Sequence, residues 1–370
     1  MRRFFTLLLA GLALTGIACP PAPTTNGQKK DDAPPDAVVP PPVSLEHLRP
    51  RIEGALEQAR RRELTSDHGF WTVFHAILGT GLQKTMLKDM KTKEKVSAID
   101  YICKGGKLTG LAFVPTEDGL DVEIRPDLQF KSQGHQDQFI AEMAQWGMPA
   151  TRKFRVAGRD YTFHDFIQHS KMRASVTKAQ ELSWAVVIVA QYFKTDHKWT
   201  NSFGETITCE DIARYELDAS IDEAACGGTH RLFGLTWAYH LHLNNGGMKE
   251  GVWSDIDKKI AEYKRIAKKH QNPDGSLSTE YFRGPGRDPN IEARISTTGH
   301  MVEWLALAMT DAELRAPWMQ SAVSALSKQI LDMGNDSIDG GALYHAAHGL
   351  HIYHSRIFGQ PEPFLPLRPK

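Results

Sequence analysis

Cysteine is scarce. Four residues in a chain of 370 cannot cross-link a domain of this size, which excludes a disulfide-built scaffold. Net charge is absent as well. The 44 Lys and Arg balance 44 Asp and Glu, so the chain lacks the basic surplus with which nucleic-acid binders neutralise phosphates. It contains no CxxC or HExxH pair, no phosphate-cradling glycine loop, no nucleophile elbow and no dinucleotide fingerprint. The glycine pairs at 105–106, 227–228 and 340–341 precede helices or hairpins and serve backbone turns. What is present is a 41% hydrophobic composition, enough for one core of roughly 300 residues or two smaller ones.

The first 19 residues read as an export signal. Arg2 and Arg3 make a basic start, residues 4–14 are apolar, and small residues follow. The apolar run is too short to span a bilayer comfortably. It ends LTGIAC at 14–19, which resembles the lipobox of bacterial lipoproteins, with Gly16 where that pattern has leucine or a similar residue. The resemblance implies lipid attachment at Cys19. The alternative is a plain cleaved signal with a spare thiol. Residues 20–45 hold eight prolines among small and charged residues, a composition that cannot offset its own ordering entropy and predicts a disordered tether. The tail at 361–370 reads as irregular. The expected location is the periplasm or cell envelope, with the membrane met only through the lipid.

From residue 46 to about 360 helical periodicity dominates. Amphipathic helices are predicted over 46–63, 162–175, 209–218, 255–270 and 311–333, with 83–102 a weaker sixth. Thr162 and Ser254 suit caps and Gly334 suits a stop. The one strand signal is a hairpin inserted near 105–124. A second, more apolar set of helices superposes on itself, starting near His68, His135, Glu181, His230, His300 and His345. Five residues after each anchor stands an aliphatic side chain: Val73, Ile140, Val186, Leu235, Leu305 and Leu350. Each apolar helix follows one amphipathic helix, which makes six pairs. Such pairs bury their apolar faces only by stacking on neighbours. Six of them closing on themselves predict an all-α fold, an (α/α)6 toroid with apolar helices inside.

Within that pattern, QNPDGS at 271–276 resembles the QxPDGSW-type turn of terpenoid cyclase and protein prenyltransferase toroids, with Leu277 in the tryptophan's place. GTHRLFGLTW at 228–237 and TGHMVEWL at 298–305 are similar to inner helices of that superfamily. The resemblance covers about 180–355 and implies architecture only, because the cyclase DxDD acid motif is absent.

Positions 0, +3 and +7 share one helix face, while +5 lies opposite. If the +5 aliphatics pack outward, the anchors face the central cavity. One turn on stand Trp71, Gln138, Trp184, Phe233, Glu303 and His348, with His75 and Trp237 below. A polar cup floored by aromatics is the composition of a pocket for a sugar-like or other polar ligand. Histidine titrates near neutrality and Glu303 follows His300 by three residues, so acid and base are neighbours. The expected acid–base residues are His230, His300, Glu303 and His345. The expected ligand-binding residues are His68, Trp71, His135, Glu181, Trp184, Phe233, Trp237 and His348, with Arg283 on a Gly-Pro-rich lid loop.

The sequence leaves open whether this is an enzyme acting on a carbohydrate or cell-envelope component. The alternatives are an envelope protein that binds a glycan or another protein, and histidines that merely satisfy one another. A third reading is zinc at Cys226 and His230 in CGGTH (226–230), with His345 and His348 also at chelating spacing. Zinc in prenyltransferases and lanthionine cyclases is held by similar residue types, though neither full ligand motif is present. Cys226 is otherwise a small buried residue or a disulfide partner of Cys209. His240 and His242 are expected to be solvated.

Overall fold

The computed structural model of the chain describes residues 43–128 and 131–359. The expectations for the export signal with Cys19, for the tether up to residue 42 and for the tail lie outside the described residues. What is described is mostly helical, with small antiparallel strand pairs.

Six helices form the apolar set: α2 (Gly69–Thr80), α4 (Gln138–Gln145), α6 (Ser183–Phe193), α8 (Thr229–Asn244), α10 (Ile291–Ala308) and α13 (Gly340–Phe358). In α2 and α6 apolar residues cover every face, the pattern of a helix surrounded by others. The order of contact follows the chain: α2 packs on α4, α4 on α6, α6 on α8, α8 on α10, and α10 on α13. Helix α13 in turn packs on α2. The +5 aliphatics are fully inside, Leu305 and Leu350 at 0% exposure and Ile140 at 2%.

The amphipathic set comprises α1 (Leu45–Arg61), α3 (Ala98–Cys103), α5 (Phe163–Arg173), α7 (Cys209–Asp218), α9 (Gly251–Lys269) and α12 (Pro317–Met333). Helix α9 shows the logic: Val252, Trp253, Ile256, Ile260 and Ala267 are buried, while its lysines and glutamates face outward or lie half-buried. Helix α1 packs against α2, α12 and α13, so the first and last helix pairs are neighbours. One core runs through all of these elements from Leu48 to Ile357.

Four expectations change. The helix predicted over 311–333 is two: α11 (Asp311–Leu314) and α12. Pro317 is the first residue of α12, and a proline disfavours helical backbone in the residue before it. Ser254 is no cap, because α9 begins three residues earlier, after Glu250. The segment 83–102 is mostly a hairpin, β1 (Thr85–Leu87) with β2 (Lys95–Ser97), followed by the short α3.

The expected hairpin is there as β3 (Phe113–Thr116) and β4 (Gly119–Val122), but it has company in β5 (Lys153–Val156) with β6 (Arg159–Thr162), and β7 (Lys198–Thr200) with β8 (Thr206–Thr208). Three of these hairpins end on a Ser or Thr that opens the next helix, with an Asp three residues on: Ser97/Asp100, Thr162/Asp165 and Thr208/Asp211. Asp211, for example, accepts the Thr208 backbone N–H at 2.7 Å while its own N–H donates to Thr208 Oγ1 at 3.2 Å. No helix among the described residues is long and apolar enough to cross a membrane.

Candidate metal centre

The site begins with two helices that touch backbone to backbone. A Cβ on Gly299 of α10 would run into Ala346 of α13, and one on Gly349 of α13 would stand 2.7 Å from the Glu303 nitrogen. Only glycine permits this approach, and it brings Glu303 onto two imidazoles. Glu303 Oε2 accepts from His345 Nδ1 at 2.8 Å, and Oε1 accepts from His348 Nδ1 at 2.6 Å. Burial opposes a charge on Glu303. The two histidines outweigh it and hold the carboxyl well below its ordinary range.

An ionised carboxylate only accepts, so its partners carry their protons on Nδ1 and present Nε2 as the lone-pair nitrogen. The same rule runs through the cluster. His300 Nδ1 lies 2.7 Å from the Ser296 carbonyl, His75 Nδ1 lies 2.8 Å from the Trp71 carbonyl, and His135 Nδ1 lies 2.9 Å from Glu181 Oε2. A carbonyl or carboxylate behind the outer nitrogen is how proteins orient metal-binding histidines.

His230, near the start of α8, sits among these rings. Its ring centre is 5.0 Å from that of His135, 5.3 Å from His300 and 5.4 Å from His345, with the Trp184 indole at 4.8 Å. The residue is 2% exposed, and neither ring nitrogen has a hydrogen-bond partner among the described residues. Burial, then the neighbouring imidazoles of His135 and His300, hold its pKa well below the histidine value, so the ring is neutral at pH 7.

Three sets of possible ligand atoms converge to within 4.8 Å of one another: His230, His300 and His345; His135, Cys226 and His230; and His75, Glu142 and His345. Such groups can hold a metal ion. In the third set the His75 lone pair already accepts the Gln138 side-chain amide at 3.2 Å. Glu142 approaches His75 Nε2 at 3.5 Å and His345 Nε2 at 3.9 Å. Burial pushes its carboxyl up to about 8, against the pull of His345, so it is protonated at neutral pH.

Cys226 reaches the cluster through an unusual turn. Cys226, Gly227 and Gly228 have φ values of 50°, 61° and 85°. A Cβ on Gly227 would strike the Tyr281 ring, so the turn is wedged in place. Arg231 secures the same segment from the other side, donating from Nε to Glu216 Oε2 at 2.8 Å. No disulfide forms among the described residues, so the Cys209–Cys226 bridge is not made.

The anchors His135, His230, His300 and His345 thus meet, and Trp71 and Trp184 lie against His75 and His230. Glu181 joins through His135 with 28% of its side chain exposed. His348 and His345 share the Glu303 carboxylate through their Nδ1 atoms. His68 is elsewhere: it is exposed, and its Nδ1 accepts the Thr65 backbone N–H at 3.0 Å, capping a short turn before α2. Phe233 and Trp237 stack on each other at 5.8 Å, and Trp237 donates to Gln191.

Arg283 is an exposed surface residue paired with Glu280 at 3.2 Å. Its loop is tied to the QNPDGS turn by Asn272, which donates to the Gly286 carbonyl at 3.1 Å. His240 is buried at 2% exposure, against expectation. Glu142 was missed in the sequence, yet it stands seven residues past His135, the offset that picks out His75 after His68. A groove of about 440 Å³ between Asp100, Cys103, Arg152 and Asp160 contains none of the histidines. No family model matches the chain, and no curated protein or solved structure matches it either.

Proposed function

We propose that the chain is an (α/α)6 toroid whose axis carries a transition-metal centre bound by His230, His300 and His345. The cyclic order of contacts among the six apolar helices supports the closed ring. The observation that carries the metal reading is His230, a buried neutral imidazole with no hydrogen-bond partner for either nitrogen among the described residues, facing two histidines whose outer nitrogens are engaged. A buried polar group without a partner costs about 1–3 kcal/mol, and an ion removes that cost.

Three imidazoles suit zinc, with copper or iron next. Three protein ligands leave a fourth position of a tetrahedral ion for water or a small ligand, the arrangement of catalytic zinc sites. Such an ion, when bound, acidifies its water and polarises a bound oxygen. Glu303 orients His345, and the protonated Glu142 lies 3.9 Å from the Nε2 of the same imidazole. Exposures of 0–5% for His75, Glu142, His230, His300, Glu303 and His345 favour an ion or a small molecule over a sugar chain at this centre.

Acid–base chemistry on a polar ligand is the second reading. Its support is the contrast between Glu142, pushed up to about 8, and Glu303, held well below its ordinary range, on either side of His345. Export through residues 1–19 with lipid at Cys19 belongs to the proposal as well, and labelling with a palmitate analogue tests it.

The decisive experiment is elemental analysis of the untagged protein, before and after zinc reconstitution, beside His300→Ala. Stoichiometric zinc in the wild type and the loss of one equivalent in the variant are expected. Wild-type protein that neither carries nor takes up zinc, copper or iron overturns the metal reading.

A further inference from the structure

We propose that Cys226 and His135 hold a second, thiophilic ion, with the His230 imidazole shared between it and the three-histidine ion. This rests on the metal reading above and extends it from one ion to two. His230 belongs to both converging groups, one with His300 and His345, the other with His135 and Cys226. An imidazole nitrogen has one lone pair and serves one ion, so the three-histidine ion uses one nitrogen and leaves the other. Both nitrogens of this ring are buried and make no hydrogen bond among the described residues. A ring that bound a single ion would be expected to donate its remaining N–H to a carbonyl or carboxylate, as His75, His135, His300, His345 and His348 all do here. His230 alone of the six lacks that outer partner.

The second site is built for its ion. Cys226 occupies a left-handed backbone conformation that a non-glycine residue adopts at a cost, and the wedged Gly227 and Gly228 keep it there. Thr229 Oγ1 donates to the Cys226 carbonyl at 2.8 Å, tying the turn to the first residue of α8. His135 is oriented by Glu181. One thiolate and two imidazoles select zinc or copper(I) over hard cations.

The protons balance. The first ion takes a lone pair of neutral His230. The second takes the other nitrogen after its N–H proton leaves to solvent, and Cys226 sulfur after its thiol proton leaves, so loading the second site releases two protons.

Cobalt(II) is the probe, titrated anaerobically into the metal-free full chain, because a thiolate on cobalt gives a near-ultraviolet charge-transfer band that imidazole does not. The wild type is expected to bind two equivalents with that band present. Cys226→Ser should bind one equivalent without it, and His230→Ala should lose both, each variant keeping the wild-type circular dichroism spectrum. His300→Ala separates this proposal from the reading it rests on. It should lose one equivalent and retain the thiolate band. One equivalent in the wild type without the band overturns the second site and leaves the three-histidine ion standing. One equivalent with the band overturns the sharing and moves the ion to Cys226. Two equivalents in Cys226→Ser also overturn the proposal. If His230→Ala alone loses the fold, proton release on cobalt loading decides: two fewer protons from Cys226→Ser than from the wild type support it, and equal release overturns it.

Discussion

His345 donates its Nδ1 proton to Glu303 Oε2 at 2.8 Å across the glycine-lined contact of α10 with α13. A single acid thereby fixes which nitrogen of His345 points toward His230 and His300.

Replacing Glu303 by Gln keeps the shape and removes the charge. The amide no longer forces both His345 and His348 to carry Nδ1 protons, so His345 spends part of its time with the wrong nitrogen inward. Zinc affinity should fall about 10–100-fold, the usual cost of losing an orienting partner of this kind. Competition against a chelating dye measures it, and unchanged affinity would mean that the carboxylate does not orient the ligand.

Gly349→Ala tests the packing that makes the site. The new methyl meets backbone atoms of Glu303 at 2.7 and 2.9 Å, which cannot swing aside as a flexible side chain does. A loss of about 1–3 kcal/mol is expected from overpacking, read as a lower urea midpoint for the metal-free protein, with zinc affinity falling as Glu303 shifts. A neutral substitution would contradict the close approach of α10 and α13.

Lys84 supplies a pH signature far from the histidines. It is 6% exposed and donates from Nζ to the carbonyls of Arg60 at 2.6 Å and Arg62 at 3.1 Å. Burial, helped by the nearby Arg60 charge, draws its pKa from 10.5 to about 8. Between those values the unfolded chain binds the proton that the folded chain has lost, so this group's contribution to stability rises with pH. Below pH 8 both states are charged and the burial penalty is fully present. Relative to Lys84→Met, the wild type should therefore gain stability from pH 8 to 10.5. Urea melts at pH 7, 9 and 10 follow the difference; a constant gap would show that Lys84 is not charged at a cost in the fold.

Much of the centre was legible in the sequence because a repeat superposes side chains that the fold brings together. His230, His300 and His345 lie on three apolar helices and His135 just ahead of a fourth, each five residues before an aliphatic side chain, and they meet. His68 holds the same place by spacing, but it follows Thr65, which recruits its ring as a cap, and local hydrogen bonding wins. Glu142 escaped notice because an acid on an otherwise apolar helix face reads as an outward residue until the neighbouring helices are known. The three-residue strands escaped for lack of length: alternation over three positions carries no period. No spacing rule shows that Cys226 turns left-handed, since that follows from the tight fit of Gly227 against Tyr281.

The contact of α1 with α12 and α13 has a consequence for the order in which the chain is written. Because α1 is already clasped by α12 and α13, opening the chain elsewhere leaves that partnership intact. New ends cut at the tip of the β5–β6 hairpin, with residues 43 and 359 joined by a linker, preserve every helix–helix partnership described above. A circular permutant made that way should refold to the same histidine cluster.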